Sequence, residues 1–452
     1  MSDSTKRGRN VFVEFHVLRS YAPGNMNRDD LGTPKTAMFG GVRRLRLSSQ
    51  CVKRTWRVSE HFTGTLGREA LGVEVLGVRT KRLPERAQAQ LGGELAQDAI
   101  DGLTEVLQRI GRKDAPSKDD EKTTAHLLFL THEEIAEVAA FAKKNKGELA
   151  KLGALANAQR AADAAPAADN EDSEEDAAEE PKAKGAKSAK GAKGKGKGKK
   201  TDSGTERQSI TDAMLAALTK HLHESAPRNA VDVALFGRFV TSTEFKSVDA
   251  AMQVAHALGT QKVDLEYDYF TAVDDLKPKG EDAGAGHLGE TEFAQSVLYQ
   301  YAVCDWRSLL ANLEGYEGEA TRIAAQSMRA VALAACRSVP RGKENGTAPQ
   351  NPADYLEIVV RRDAPMSLAN AFLQPVRAIE DTDSGDVMDQ SIHRLRGLAT
   401  KYQAAYSTSG DVIARLVLSM RDLQARDAKD VTEFATLDEI AKRVASVLEA
   451  EA

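Results

Sequence analysis

Cysteine, long apolar runs and metal-binding spacings are all scarce in this 452-residue chain. The three cysteines, Cys51, Cys304 and Cys336, form no CxxC or paired pattern. This excludes a disulfide framework and predicts free thiols in a reducing cytoplasm. No stretch reaches the ~20 apolar residues that a membrane-spanning helix needs. The polar start, MSDSTKRGRN, leads into an alternating strand and not an apolar signal core, which predicts no export and no membrane partner. No Gly-Lys pair is followed by Ser or Thr at the spacing of a phosphate-binding Walker loop. His16 has no His, Asp or Glu partner at metal spacing and is read as a surface residue. His221 and His223 would lie about 200° apart on a helix, which is poor geometry for a shared metal. No metal, cofactor or catalytic residue is therefore assigned.

Charge is present but unevenly placed. The net charge is −5, yet residues 1–60 hold twelve Lys or Arg against five Asp or Glu, an excess of seven, which leaves −12 for the rest. The excess concentrates between Asn25 and Arg57. From Val42 to Arg57 there are six cations, Arg43, Arg44, Arg46, Lys53, Arg54 and Arg57, and no acidic residue. Such density beside a helix start favours phosphate contact over a merely solvated face. Ser48 and Ser49 follow the short strand LRL and suit an N-cap, so the helix opens with free N–H groups beside cationic side chains. Within that helix Gln50, Lys53 and Arg57 fall on one face, while Val52 and Trp56 turn towards a core.

The rest of the chain alternates strands and helices. Val11–Leu18 reads as a half-buried strand with Val11, Val13, Phe15 and Val17 inward. Tyr21–Thr36 is loop. Glu94–Ile110 and Thr131–Phe141 read as helices, the second with a capping box of Thr131 and Glu134. Periodicity is lost from about 154 to 204, a tract that is Ala-rich, acidic from Asp169 to Glu180, and Lys/Gly/Ala-rich from Lys182 to Lys200. This composition predicts disorder. Its lysines suit either an auxiliary nucleic-acid arm or a solvated linker. Ile210–His223 reads as helix, Val231–Phe236 as strand, Val248–Leu258 as amphipathic helix, and Phe293–Tyr301 and Tyr355–Val360 as strands. Helices follow at Ile392–Tyr406 and Leu437–Leu448. The pattern suits an α+β fold with helices on one face of a sheet. Phe239, Tyr269 and Phe270, read from residue type alone, are core aromatics.

Several ordered blocks carry a resemblance. The loop Met26–Asp30, AMFGG (Ala37–Gly41), RRLRLSSQ (Arg43–Gln50) and KR-x-x-R (Lys53–Arg57) resemble the CasC family, the Cas7-type backbone subunit of the type I-E CRISPR Cascade complex. GRFVTS (Gly237–Ser242), VDAAMQVAHAL (Val248–Leu258), DYFTAVDDL (Asp268–Leu276), HLG (His287–Gly289), NPAD (Asn351–Asp354) and APMSLANAF (Ala364–Phe372) extend it in order.

The resemblance implies an RRM-like (ferredoxin-like) palm over 1–61, 231–261 and 293–452, a helical fingers insertion over 62–230, and a thumb hairpin over 262–292. It implies a noncatalytic subunit that oligomerises head to tail along guide RNA and presents it to target DNA. Partners would be the large, small, handle-binding and guide-processing Cascade subunits, with a helicase-nuclease effector recruited indirectly. Arg28, Lys35, Gln50, Lys53 and Arg57 would touch the guide backbone, with Arg43, Arg44, Arg46 and Arg54 as a further basic patch. Phe239 and the segment Tyr269, Phe270, Thr271 to Val273 would insert between nucleotides. Val42 departs from the lysine expected after the glycine pair. The competing class is a metal-dependent endoribonuclease using Asp29 or Asp30, adjacent carboxylates in the loop beside the patch.

Overall fold

Alternation at Val11–Leu18 does produce a strand, and that strand becomes the middle of the main sheet. The computed structural model describes residues 10–112, 123–164, 202–272, 287–378, 385–423 and 431–451. Its strands are β1 (Phe12–Gly24), β2 (Thr36–Phe39), β3 (Val42–Leu47), β4 (Val78–Thr80), β5 (Leu128–Leu130), β6 (Met252–Val254), β7 (Ala257–Gly259), β8 (Glu266–Ala272), β9 (His287–Asp305), β10 (Tyr355–Arg361), β11 (Val412–Ser419) and β12 (Thr432–Glu433). The helices are α1 (Ser49–Arg57), α2 (Glu60–Leu66), α3 (Arg68–Leu71), α4 (Leu83–Leu91), α5 (Gln97–Gln108), α6 (His132–Lys144) and α7 (Lys146–Ala164). They continue as α8 (Asp202–Ser225), α9 (Val231–Phe236), α10 (Trp306–Asn312), α11 (Ala320–Arg337), α12 (Glu344–Thr347), α13 (Val387–Tyr406) and α14 (Leu437–Glu449).

Ten strands form one sheet in the order β12-β11-β10-β1-β9-β7-β3-β2, with β6 and β8 also paired to β9. All its pairings are antiparallel except β11 with β12. The fold is thus mixed α+β around a large, mostly antiparallel sheet. The 19-residue β9 is its spine: one end pairs with β1 and β6, the other runs on with β8 as a two-stranded ribbon.

Helices cover both faces of the sheet, not one. Val13, Phe15 and Val17 of β1 pack into the core that holds Ile323, Val331, Ile440 and Val444 of α11 and α14. On the opposite face Leu18, Tyr299 and Tyr355 meet Met388, Ile392 and Leu395 of α13. His16 therefore lies inside the protein, 1 % exposed, with Nδ1 2.8 Å from the Tyr299 hydroxyl. The surface reading of His16 fails because the face it shares with Leu18 is closed over by segments distant in sequence, α13 among them.

A second core collects α4 to α8 with β5: Leu83, Leu103, Val106, Leu130, Val138, Leu149 and Leu218 are all buried there. The Thr131 capping box forms as the sequence predicts, with Thr131 N donating to Glu134 and Glu134 N donating to Thr131 Oγ1. The tract read as structureless from 154 to 204 is helical at both ends, in α7 and α8. Its middle, 165–201, lies outside the described residues.

Two short elements reverse their sequence readings. Val231–Phe236 is helix α9 and not strand, because it is buried on opposite sides: Val231, Ala234 and Leu235 pack on the main sheet, while Val233 meets Phe129 in a separate small cluster. A six-residue segment buried all round shows no helical stripe in its sequence. Val248–Leu258 is not a helix, since Met252 and Val254 pair with Cys304 and Ala302 of β9 and override helical spacing. Elsewhere Ile392–Tyr406 and Leu437–Leu448 are helical as expected, within α13 and α14. All three cysteines are free thiols. Among the described residues no helix is long and apolar enough to cross a membrane.

Candidate nucleic-acid interface

The cationic surface is assembled from the loop before β2, strand β3 and helix α1. Asn27 joins them: its side-chain carbonyl accepts from Ser48 N at 2.8 Å and its backbone carbonyl accepts from Lys35 N at 2.8 Å. Arg46 N in turn donates to the Lys35 carbonyl at 2.9 Å. Ser48 caps α1 as the sequence predicts, accepting from Cys51 N at 3.3 Å, and the first turn carries no acid. Val52 and Trp56 are buried, each contributing roughly 1.5–3 kcal/mol on an area basis, and this pins the opposite face outward. Gln50 and Arg54 are exposed there, and Lys53 is half-buried with its pKa lowered by that burial.

Six cations around this surface, Arg28, Lys35, Arg43, Arg46, Lys53 and Arg54, have no carboxylate partner among the described residues. Two others differ. Arg44 is wholly buried, so it is removed from the surface patch. Its guanidinium donates to the carbonyls of Phe39 (3.2 Å), Gly259 (3.2 Å), Thr260 (2.6 Å), Phe372 (2.9 Å) and Leu373 (3.4 Å). It stitches the β2–β3 hairpin to β7 and to the segment around Phe372. Gly40 in that hairpin has φ +58°, and a Cβ there would overlap the Leu373 carbonyl, so the close approach requires glycine. Arg57, read as a backbone contact, points inward. Its guanidinium lies 3.6 Å from buried Asp232 and 5.1 Å above the Phe129 ring, with only 15 % of the side chain exposed. Arg57 thereby ties α1 to α9 and to β5.

The aromatic candidates are exposed, contrary to the core reading drawn from residue type. Phe239 is 88 % exposed and its neighbour Arg238 explains how. Arg238 is buried and holds the loop by donating to the carbonyls of Phe129 and Lys246 and to the Glu134 carboxylate at 2.8 Å. On β8, Tyr269 is 67 % and Phe270 44 % exposed, and Thr271 is exposed as well. Phe270 lies opposite Gly289 of β9, where a Cβ would overlap its ring. Val273 lies outside the described residues.

Asp29 and Asp30 are both exposed. Asp29 is consumed by its own turn: Oδ1 accepts from Leu31 N (3.0 Å) and Thr33 N (2.9 Å), and Oδ2 accepts from Thr33 Oγ1 (2.7 Å). The Thr33 hydroxyl bond lowers its pKa. Among the described residues no group of three His, Cys, Asp or Glu could hold a metal.

Sequence reasoning missed His256, whose Nδ1 lies 2.9 Å from Arg46 Nη1. Its segment was read as helix, which would separate it from β3. A strand reading of Met252–Gly259 would have found it.

The fold and surface define a mixed α+β protein that presents a strand–helix platform of cations with no carboxylate partner among the described residues, suited chemically to a polyanion. The chain belongs to the CT1975-like protein family, whose model matches residues 13–443. Among solved structures it is similar to a chain of a "CRISPR RNA-guided surveillance complex, pre-nicking", at 26 % identity and a TM-score of 0.68, covering 96 % of this chain and 100 % of that one. A chain of a second structure, "CRISPR RNA-guided surveillance complex", shares the fold at 21 % identity and a TM-score of 0.59, covering 96 % and 99 %. A search of curated protein sequences finds no match.

Proposed function

We propose that this protein is a noncatalytic backbone subunit that binds CRISPR guide RNA and polymerises along it within a surveillance complex, of type I-E as the sequence blocks resemble. The observation that carries this reading is the set of six cations, on β3, on α1 and in the loop before β2, that have no carboxylate partner among the described residues. Phosphate contacts there would position RNA without reading its sequence, leaving base edges free to pair with target DNA. Arg28, Lys35, Gln50 and Lys53 are the proposed backbone contacts, with Arg43, Arg46 and Arg54 beside them. Phe239, Tyr269, Phe270 and Thr271 would meet bases; their exposure supports this, since exposed aromatic faces stack on any base.

In this reading the main sheet is the palm, the second helical core belongs to the fingers, and the β8–β9 ribbon is the thumb. Head-to-tail contacts that do not close would generate the filament. The large, small, handle-binding and guide-processing subunits would complete the complex. The engagement of Asp29 within its own turn favours this reading over metal-dependent cleavage. The test is native mass analysis of the protein co-expressed with a CRISPR array, with the bound RNA sequenced. Several copies on one guide-length RNA are expected; a monomer free of RNA, or one holding Mg²⁺-dependent fragments, would overturn the reading.

A further inference from the structure

His256 occupies the turn between β6 and β7 and is exposed. The antiparallel pairing of β3 with β7 sets Arg46 opposite Leu258 and Leu47 opposite Ala257, which brings the imidazole to the guanidinium. Arg46 Nη1 lies 2.9 Å from His256 Nδ1. A guanidinium has only donors, so Nδ1 must accept, and the ring is neutral with its proton on Nε2. Lys35, from the loop before β2, is the other charged group that acts on the imidazole. Among the described residues, β3, the β6–β7 turn, β9 and that loop bring no carboxylate to this point. Burial first, then Arg46 and Lys35, lower the His256 pKa in the free protein.

We propose that His256 is a phosphodiester-contacting residue of this surface, and that it gains a proton from solvent as an RNA backbone seats against Arg46 and Lys35. The inference rests on the reading of the surface as an RNA interface. An arriving phosphate draws the Arg46 guanidinium onto its oxygens and releases Nδ1. The anion also reverses the sign of the local field. The ring then holds protons on both nitrogens and donates one hydrogen bond to a phosphate oxygen. Three cations then surround the anion where the free protein has two.

Linkage fixes the sign. A pKa higher in the complex than in the free protein means binding takes up a proton, so affinity rises as pH falls through the complex pKa and levels off below the free pKa. The salt slope steepens by about 0.7 in the same direction.

The experiment is calorimetric binding of single-stranded polyuridylate, whose base does not titrate in this range, to the full chain between about pH 5.5 and about pH 8. Buffers of different ionisation enthalpy count the protons. The wild type is expected to bind roughly tenfold more tightly at the acid end, a shift of about one pKa unit, with an uptake that peaks near about half a proton per bound subunit midway between the free and bound pKa. His256→Gln keeps an acceptor for Arg46 and should still bind, with that uptake abolished. Arg46→Gln should show a smaller uptake, because the free imidazole is then less opposed. Binding without proton uptake in the wild type, or equal uptake in His256→Gln, overturns the inference and leaves the RNA interface standing. No binding at any pH overturns both.

Discussion

Arg44 donates a 2.6 Å hydrogen bond to the carbonyl of Thr260, across 216 residues of sequence, and has no carboxylate partner in the protein's described interior. A buried guanidinium satisfied by carbonyls alone is a rigid clamp, because every donor is matched to a fixed backbone position. It also places the β2–β3 hairpin, and with it the cationic platform, on the edge of the sheet.

Arg44→Met is expected to destabilise the protein by about 3 kcal/mol, since several buried carbonyls lose their donor together. Arg43→Ala, on the exposed side of the same strand, should stay within about 0.5 kcal/mol of wild type. Urea unfolding of the two variants measures the contrast; equal stability would mean that the Arg44 bonds are not made in solution.

RNA binding should respond differently. Lys53→Ala is expected to weaken binding uniformly across RNA sequences and to reduce the slope of log affinity against log salt by about 0.7. Filter binding over a salt series reads this directly, and an unchanged slope would remove Lys53 from the interface.

Phe239→Ala should leave the melting temperature unchanged, because its ring touches solvent, and should cost about 1–3 kcal/mol in RNA assembly if a base stacks there. A loss of stability instead would show that the ring packs within the protein.

His16 sets an acid limit on stability. Burial, opposed by Glu14 and Glu357 and aided by Arg415 and Arg361, lowers its pKa below the ordinary value of 6.5. The unfolded chain therefore binds this proton first, and its stabilising contribution is complete above about pH 6.5 and lost as pH falls towards the folded pKa. His16→Gln should flatten the dependence of stability on pH in that window. A slope identical to wild type would assign the acid loss to another group.

The second helical core depends on a close crossing of α5 and α7. A Cβ at Gly102 would overlap the Leu149 carbonyl, and one at Gly153 would overlap the Asp98 carbonyl. Gly102→Ala is expected to cost about 1–3 kcal/mol through forced separation of the helices. Hydrogen exchange should show the loss in α4 to α8 before the main sheet; protection lost uniformly would mean that the two cores unfold as one.

The sequence by itself determined those features whose cause is local. The Ser48 cap, the inward turn of Val52 and Trp56, the Thr131–Glu134 capping box and the strand at Val11–Leu18 all follow from residues within a few positions of one another. The cation density from Arg43 to Arg57 was equally legible, because charge needs no partner to be counted. Tertiary structure decided which cations face solvent. Arg44 and Arg46 share one face of β3, yet Arg44 is sealed beneath Phe372 and Leu373 while Arg46 meets His256. It also decided that His16 is interior, that Val231–Phe236 is helical and that Val248–Leu258 is extended. In each case the deciding contact comes from a distant segment, α13, Phe129 or β9, and burial against a remote partner outweighs the fraction of a kcal/mol that local propensity supplies.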